Sequence, residues 1–360
     1  MTFVPETAWL TSQALEHAFA LPAVFYTDPG AMAVERRAVF ARSWQLVAHQ
    51  AELRDRGDHV VAEAAGIPLL LVRGEDGVLR GFHNVCRHRA GPVANCNARG
   101  ARNLVCRYHG WTYELDGRLR GAPEMKDAGN FRIADIRLPE VRVASWQGLV
   151  FAALDDAPPL DEVIAGIDAR LGERRLDALT FHRRVSYEMG CNWKVYVDNF
   201  LEGYHLPVVH PGLNRLLDYR SYVTEHGDWH SLQWSPLETA SAGNTNFYGT
   251  GEALYYFVYP NTMLNILPGR LQTNRVVPLD ANRCRVDFDY FYPADEHGGA
   301  RRALDLEFSD EVQQEDIAIC EAVQRGLESG SYHAGRLNPK RESGVHHFHE
   351  LIRRAYRDAS

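Results

Sequence analysis

The sequence predicts an α+β protein in which a small antiparallel β domain precedes a larger domain, whose antiparallel sheet is flanked by helices. Residues 58–85 alternate apolar and polar side chains around turn signals such as Asp76-Gly77. Residues 182–293 contain further alternating or apolar runs, while residues 307–330 show the helical period. The chain has 360 residues, which is enough for two or three domains.

The β domain is predicted to span residues 46–155. It follows an N-terminal segment, residues 1–45, which we predict to be helical and to pack on the larger domain because the apolar residues of 32–44 are helically spaced. The hairpin signal recurs at Asp116-Gly117. The proline-containing acidic stretch 155–162 is typical of a linker followed by a helix start, and the larger domain then covers residues 156–360.

Within the larger domain, strands and helices are mixed. We predict helices at 163–173, 192–206 and 307–330. We predict strands at 182–190, 253–268, 270–279 and 283–293.

Composition and charge exclude several kinds of partner. The net charge of −8 disfavours non-specific binding to nucleic acid or to an anionic membrane. Apolar runs are too short to span a bilayer, and the first residues lack the features of a signal peptide. We therefore expect a cytoplasmic protein that binds a small-molecule substrate, and neither nucleic acid nor a membrane.

Two short segments each pair a cysteine with a histidine, Cys86-x-His88 and Cys106-x-x-His109. A disulfide leaves the histidines unexplained, and structural zinc sites usually group Cys with Cys and His with His. A [2Fe-2S] cluster with asymmetric ligation takes both thiolates on one iron and both imidazoles on the other. The mixed pairing favours such a cluster, with a zinc-stabilised binding module as an alternative. We expect ordinary thiols at Cys96, Cys191, Cys284 and Cys320.

With their flanking residues, these segments resemble the Rieske signature of the ring-hydroxylating oxygenase α-subunit family, as Cys86-x-His88-Arg89 and Cys106-x-x-His109-Gly110-Trp111. The resemblance covers nearly the whole chain. Residues 310–337 and 342–352 are most similar to the branch of choline monooxygenase and of glycine betaine and carnitine oxygenases. It implies a Rieske [2Fe-2S] domain and a catalytic domain of the helix-grip, START-like type that holds mononuclear Fe(II).

The mononuclear iron of such an oxygenase is held by two histidines and one carboxylate. His205 and His210 are the candidate imidazoles. Residues five apart on an unbroken helix point about 140° from each other, so we predict that Pro207 interrupts the helix between them. The carboxylate is expected from Glu311, Glu315, Asp316 or Glu321. We choose Asp316 because it lies near the apolar helical stripe of Val312, Ile319 and Val323, and because the resemblance favours that position.

The resemblance also implies roles for residues just before His205. Glu202 resembles the carboxylate that links an iron-bound histidine to a Rieske histidine of the neighbouring subunit. Most ring dioxygenases have Asp there, whereas Glu resembles the branch that acts on quaternary ammonium compounds. Asn199 and Tyr204 resemble positions near the iron, so we predict all three as catalytic residues.

The substrate is less well defined. A quaternary ammonium group is held by a desolvated box of aromatic faces. Phe200, Tyr255 and Phe257 are candidates for this box, and Arg270 is a candidate for a substrate carboxylate. The same rings suit an aromatic substrate, and aromatic strands most often form sheet core.

We therefore expect hydroxylation, and possible N-demethylation, of a small quaternary ammonium or N-methyl compound. One alternative is hydroxylation or dihydroxylation of an aromatic acid or other arene. The other is an electron-transfer Rieske protein without oxygenase activity. The resemblance further implies O2 as cosubstrate, a homotrimer, and a separate flavin/iron-sulfur reductase that supplies electrons from NAD(P)H.

Overall fold

The computed structural model describes residues 3–238, 246–294 and 299–359. The chain divides into two compact units, one of residues 40–158 and the other of residues 1–39 together with 159–360. Sheets in both units are antiparallel and helices are concentrated in the second, so the predicted α+β class is confirmed. Along the described residues, each helix is too short or too polar to cross a membrane.

The unit of residues 40–158 is built from short strands. A larger antiparallel sheet has the strand order β1-β9-β8-β4-β3-β2, and a smaller one has the order β5-β6-β7. The strands are β1 Gln45–His49, β2 His59–Ala64, β3 Ile67–Arg73, β4 Leu79–His83, β5 Leu104–Val105, β6 Thr112–Tyr113, β7 Leu119–Gly121, β8 Glu140–Trp146 and β9 Leu149–Ala153.

Strand β3 separates two apolar cores in this unit. Successive side chains of a strand point to opposite faces, so Leu70 and Val72 enter one core while Leu69 and Leu71 enter the other. The first core also contains Cys86 and Cys106. The loops that carry the paired cysteines are therefore anchored in well-packed protein.

The second unit contains an antiparallel sheet with the order β10-β16-β15-β14-β13-β12-β11. Its strands are β10 Thr180–Met189, β11 Val223–His226, β12 His230–Pro236, β13 Glu252–Val258, β14 Thr262–Leu267, β15 Arg270–Pro278 and β16 Cys284–Tyr292. Its α-helices are α1 Thr7–Leu10, α2 Val24–Thr27, α3 Pro29–Glu35, α4 Leu160–Val163, α5 Ile167–Leu171, α6 Trp193–Phe200, α7 Leu206–Val209, α8 Pro211–Leu216, α9 Gly299–Glu328 and α10 Ser343–Ala359.

Helix α6 lies between the sheet and the long helix α9, since it contacts both β15 and α9. The buried residues of α9 are largely polar, namely Asp305, Ser309, Gln313, Cys320 and Gln324. The prediction of a buried apolar stripe on this helix is wrong in part, because Val323 is 43% exposed. Polar groups on the inner face of α9 indicate a hydrophilic site between helix and sheet.

The N-terminal segment forms short helices and a π-helical turn at Arg36–Phe40, where the sequence had suggested more continuous helix. Glu35 holds this segment against α6. Its carboxylate lies 2.6 Å from Nζ of Lys194 and accepts a hydrogen bond of 2.7 Å from Nε1 of Trp193. Both members of the Glu35–Lys194 ion pair are fully buried.

Several further elements differ from the sequence prediction. The segment expected as a strand at 253–268 forms two strands, β13 and β14. The helix expected at 163–173 is split into α4 and α5 at Gly166, which has φ +86°. The helix expected at 192–206 ends at Phe200. Helix α10, which the sequence analysis did not predict, packs against α1, α3 and β11.

Candidate metal centres and active site

The segments 86–91 and 106–111 form two loops with the same backbone hydrogen bonds. In each loop, the cysteine N–H donates to the carbonyl five residues later, at 2.8 and 2.9 Å. The N–H four residues after the cysteine donates back to the cysteine carbonyl, at 3.1 and 3.0 Å. That residue has positive φ in both loops, +57° at Ala90 and +74° at Gly110. The repeated geometry presents each Cys and His in an equivalent way.

Sulfur and nitrogen donors are separated at the loop tips. Cys86 and Cys106 are buried, while His88 and His109 are exposed with ring centroids 4.5 Å apart. Trp111 stacks on His88 at 4.9 Å between ring centroids. Two inner thiols and two outer imidazoles match the donor set of an asymmetric [2Fe-2S] cluster, so these residues fit that group.

Tyr113 is a residue of this centre that the sequence analysis missed. Its hydroxyl lies 3.2 Å from Sγ of Cys86 and accepts a hydrogen bond of 2.9 Å from the N–H of Arg87. The phenol can therefore donate to the cysteine sulfur. A tyrosine two residues after Trp111 was the only available sequence signal.

We expect Tyr113→Phe to lower the reduction potential of the Rieske cluster. Hydrogen bonds to the cluster sulfurs stabilise the reduced state. One bond contributes about 1 kcal/mol, which corresponds to a shift on the order of 50 mV for one electron. Redox titration followed by visible absorption measures the shift. Tyr108→Phe is the matched control because Tyr108 is 56% exposed, and an equal shift in both variants would contradict the role of Tyr113.

The second centre lies in the unit of residues 1–39 and 159–360. One donor atom from each of His205, His210 and Asp316 lies within 4.8 Å of the others. Nε2 of His210 is 3.0 Å from Oδ1 of Asp316, and Nε2 of His205 is 4.0 Å from the same oxygen. Two imidazoles and one carboxylate facing a common point fit a ferrous ion with open positions.

A carboxylate contacts Nδ1 of each histidine, on the side of the ring away from the predicted metal position. Nδ1 of His205 lies 2.5 Å from Oε1 of Glu202, and Nδ1 of His210 lies 2.6 Å from Oε2 of Glu315. This leaves each Nε2 free to face the centre, which is the usual arrangement of metal-binding histidines. Glu315 had been considered only as a possible ligand, so its contact with His210 is a second feature that the sequence did not reveal.

The electrostatics of the centre favour a cation. Burial lowers the pKa of His210, but hydrogen bonds and charge from Asp316 and Glu315 outweigh burial and raise it above its ordinary value. Nδ2 of Asn199 donates to Oδ1 of Asp316 at 2.6 Å and orients that carboxylate. Asn199 thus lies where the sequence analysis expected it, beside the predicted ligands.

The helix is interrupted at a different position from the one that the sequence predicts. Helix α6 ends before His205, and Pro207 lies in the first turn of α7 instead of breaking a helix between the histidines. Proline is tolerated there because the first N–H groups of a helix have no intrahelical partner. The interruption at residues 201–205 includes Gly203, where an added Cβ would lie 2.8 Å from the ring of Tyr222.

A cavity of about 120 Å³ adjoins the three donors. Phe200, Tyr255 and Arg270 line it as predicted candidates. Other lining rings are Tyr196, Tyr222, Tyr248, Phe288 and Phe308, and six leucines also line the cavity. The cavity is therefore small, and its apolar wall is partly aromatic and partly aliphatic.

Two predicted residues lie elsewhere. Phe257 does not line the cavity, because its ring packs 5.5 Å from Phe348 of α10 in the core. The side chain of Tyr204 is 53% exposed, and only its backbone N–H contacts the centre by donating to Glu202. Strand alternation placed Phe257 on the correct face but not at the correct position along it.

A second, larger cavity of about 620 Å³ lies on the other side of His205. Asn199, Glu202 and His205 line both cavities. The larger one also contains Asp198 and Glu342, so three carboxylates, counting Glu202, lie in a wall that is otherwise mainly apolar. We call this cavity the acidic groove.

The two units match two family models. Residues 43–142 match the Rieske [2Fe-2S] domain, and residues 176–358 match the ring hydroxylating alpha subunit (catalytic domain). Together with the two donor sets, these matches define a Rieske oxygenase that carries a [2Fe-2S] cluster and mononuclear iron. Such an enzyme is the oxygenase component of a system that also needs a reductase.

Individual proteins give the same assignment. The chain is 38% identical to chloroplastic choline monooxygenase of Arabidopsis thaliana, over 94% of this chain and 83% of that protein. It is 32% identical to the carnitine monooxygenase oxygenase subunit of Escherichia coli K12, over 95% of each. The solved quaternary ammonium Rieske monooxygenase CntA has a TM-score of 0.87 at 27% identity, covering 96% of this chain and 99% of that one.

The chain therefore belongs to the ring-hydroxylating α-subunit family of Rieske oxygenases. The predicted family, fold and enzyme class are confirmed. An electron carrier without oxygenase activity and a zinc-stabilised binding module are both wrong, because the catalytic domain is present as well as the Rieske domain.

Proposed function

We propose that this oxygenase hydroxylates a small quaternary ammonium or N-methyl compound. The observation that carries the proposal is the small aromatic-lined cavity beside His205, His210 and Asp316. Ring faces attract a cation that offers no hydrogen-bond donor. The similarity to choline and carnitine monooxygenases supports the same substrate class.

We assign the metal ligands on donor chemistry. Cys86, His88, Cys106 and His109 hold the [2Fe-2S] cluster, and His205, His210 and Asp316 hold ferrous iron. When bound, the ferrous iron activates dioxygen, so that one oxygen atom enters a C–H bond and the other leaves as water after uptake of two electrons and two protons.

The protein groups around the iron site have separable tasks in this proposal. Glu202 and Glu315 fix the tautomers of the two histidines, and Asn199 holds Asp316 in place. Phe200 and Tyr255 surround the ammonium group and exclude water. Attack at an N-methyl carbon gives a hemiaminal that collapses to the demethylated amine, whereas attack at a primary alcohol carbon gives an aldehyde hydrate.

Electrons reach the catalytic site from a neighbouring copy in a homotrimer. Glu202 contacts His205 and also lines the acidic groove, so it can connect this histidine to His88 or His109 of the neighbouring copy. Charge complementarity supports such docking, because exposed arginines flank both histidines, namely Arg87, Arg89 and Arg107. Inter-subunit electron transfer is described for CntA.

The proposal also covers the electron donor and the cellular location of the enzyme. A flavin/iron-sulfur reductase that oxidises NAD(P)H supplies electrons one at a time. We place the protein in the cytoplasm, where its net charge of −8 gives it no attraction to an anionic membrane.

Oxygen uptake tests the substrate class. We expect the holoenzyme to couple oxygen consumption to product with at least one of choline, glycine betaine or carnitine, and not with simple benzoates. Chemical reduction of the protein followed by a single turnover avoids the need for the native reductase, and mass spectrometry identifies the product. Coupled uptake with a benzoate but with none of the ammonium compounds would establish the arene alternative instead.

A further inference from the structure

We propose that the cavity discriminates against quaternary ammonium compounds that carry a carboxylate, and favours those whose second polar group is uncharged, such as an alcohol. This inference rests on the proposed function and narrows its substrate class. The residues that carry it are Arg270 and Asp305.

Arg270 lies in the cavity wall, but its charge is already matched. Its Nε is 2.9 Å from Oδ2 of Asp305, at ion-pair distance although not in hydrogen-bond alignment, and its Nη2 donates to Gln272. Both side chains of the ion pair are almost completely buried, with exposed fractions of 6% and 2%. A buried arginine beside a buried carboxylate makes a pair with no net charge.

Aromatic residues complete the surroundings of this pair. Tyr248 and Tyr292 both donate hydrogen bonds to Asp305, which keeps the carboxylate satisfied. Tyr248 and Tyr290 lie 6.0 and 5.8 Å from the guanidinium carbon of Arg270. Burial alone would lower the pKa of Arg270, but Tyr248 and Asp305 raise it, so the side chain remains a cation that is committed to Asp305.

A substrate carboxylate would meet an unfavourable balance of charge here. It would place a second buried anion beside an arginine that already has one, and a buried charge without its own partner is costly. A hydroxyl brings no such charge. The arginine predicted as a carboxylate-binding residue is therefore part of a neutral wall.

Choline and glycine betaine form a matched pair of probes, since both carry a trimethylammonium group and differ in alcohol against carboxylate. In single turnovers of the chemically reduced holoenzyme, we measure the substrate concentration that gives half-maximal product. We expect this concentration to be at least about tenfold lower for choline than for glycine betaine, which corresponds to about 1.4 kcal/mol. A wild-type preference for glycine betaine would overturn the inference while leaving the proposed function intact. If neither compound nor carnitine is oxidised, the proposed function itself fails.

Asp305→Asn tests the mechanism of selection. It leaves Arg270 without its anion, so we expect the choline preference to fall about tenfold or more. Tyr292→Phe is the control, because it removes a hydrogen bond from the same carboxylate and keeps the charge; its preference should stay within about twofold of wild type. An unchanged preference in a folded Asp305→Asn holoenzyme would overturn the assignment to Asp305. If that variant does not fold, the wild-type ratio still decides the inference.

Discussion

His205→Ala is expected to abolish coupled oxygenation while the absorption spectrum of the Rieske cluster stays unchanged. The substitution removes one of three donors that converge within 4.8 Å, and the remaining two cannot hold iron firmly. A bound metal contributes several kcal/mol to such a reaction, so we expect a loss on the order of 10³-fold or more. Iron analysis and visible spectroscopy on the same sample separate the two centres.

The matched variant for this experiment is Cys106→Ser, which removes a cysteine ligand of the other centre. It should bleach the protein and leave the mononuclear site able to bind ferrous iron. Loss of the visible spectrum in His205→Ala would contradict two separately held centres. Retention of coupled turnover in that variant would contradict the role of His205 as a ligand.

Glu202→Gln has the second largest expected effect. The amide still occupies the space beside His205 but no longer offers a charged acceptor in the acidic groove. Losing such a supporting group usually costs about 10- to 100-fold in metal affinity or activity. We therefore expect weaker iron binding and, in the fraction of enzyme that keeps both metals, electron transfer between the centres slowed by about that factor. Rapid mixing of the reduced protein with substrate and oxygen measures the oxidation rate of the cluster.

Glu315→Gln is the control for this substitution. Glu315 also holds a histidine through Nδ1, but it does not line the acidic groove. Its loss should weaken iron binding without slowing cluster oxidation in the fraction of enzyme that keeps iron. Equal slowing in both variants would mean that Glu202 acts only as an orienting group.

The sequence was most informative where residue type and spacing jointly define the chemistry. Cys and His at short fixed intervals sufficed for the Rieske loops, and their hydrogen-bonded turns follow from local sequence. Phe257 shows the limit of such reasoning. Strand alternation gives the face of a residue, but the position of the cavity along that face depends on which helix covers it, and Phe348 of α10 covers Phe257.

Helix α9 shows a second limit. Periodicity locates a buried face only when that face is apolar, and the inner face of this helix carries Asp305 and Gln313. Glu315 and Asp316 are adjacent in sequence, yet one holds His210 from behind and the other faces the iron position. These different roles arise from the packing of α9 against α7. No short sequence pattern encodes that packing.

The buried contact between Glu35 and Lys194 has a practical consequence for engineering this enzyme. Removing one partner of a buried ion pair costs about 3–5 kcal/mol, a large share of the roughly 5–15 kcal/mol that stabilises a typical protein. Removing the polypeptide up to Val39 to obtain a minimal catalyst would leave the ammonium group of Lys194 buried against the ring of Trp193 without its carboxylate partner. Shortened versions should therefore retain Glu35, and a library that randomises this position is expected to return few well-folded clones.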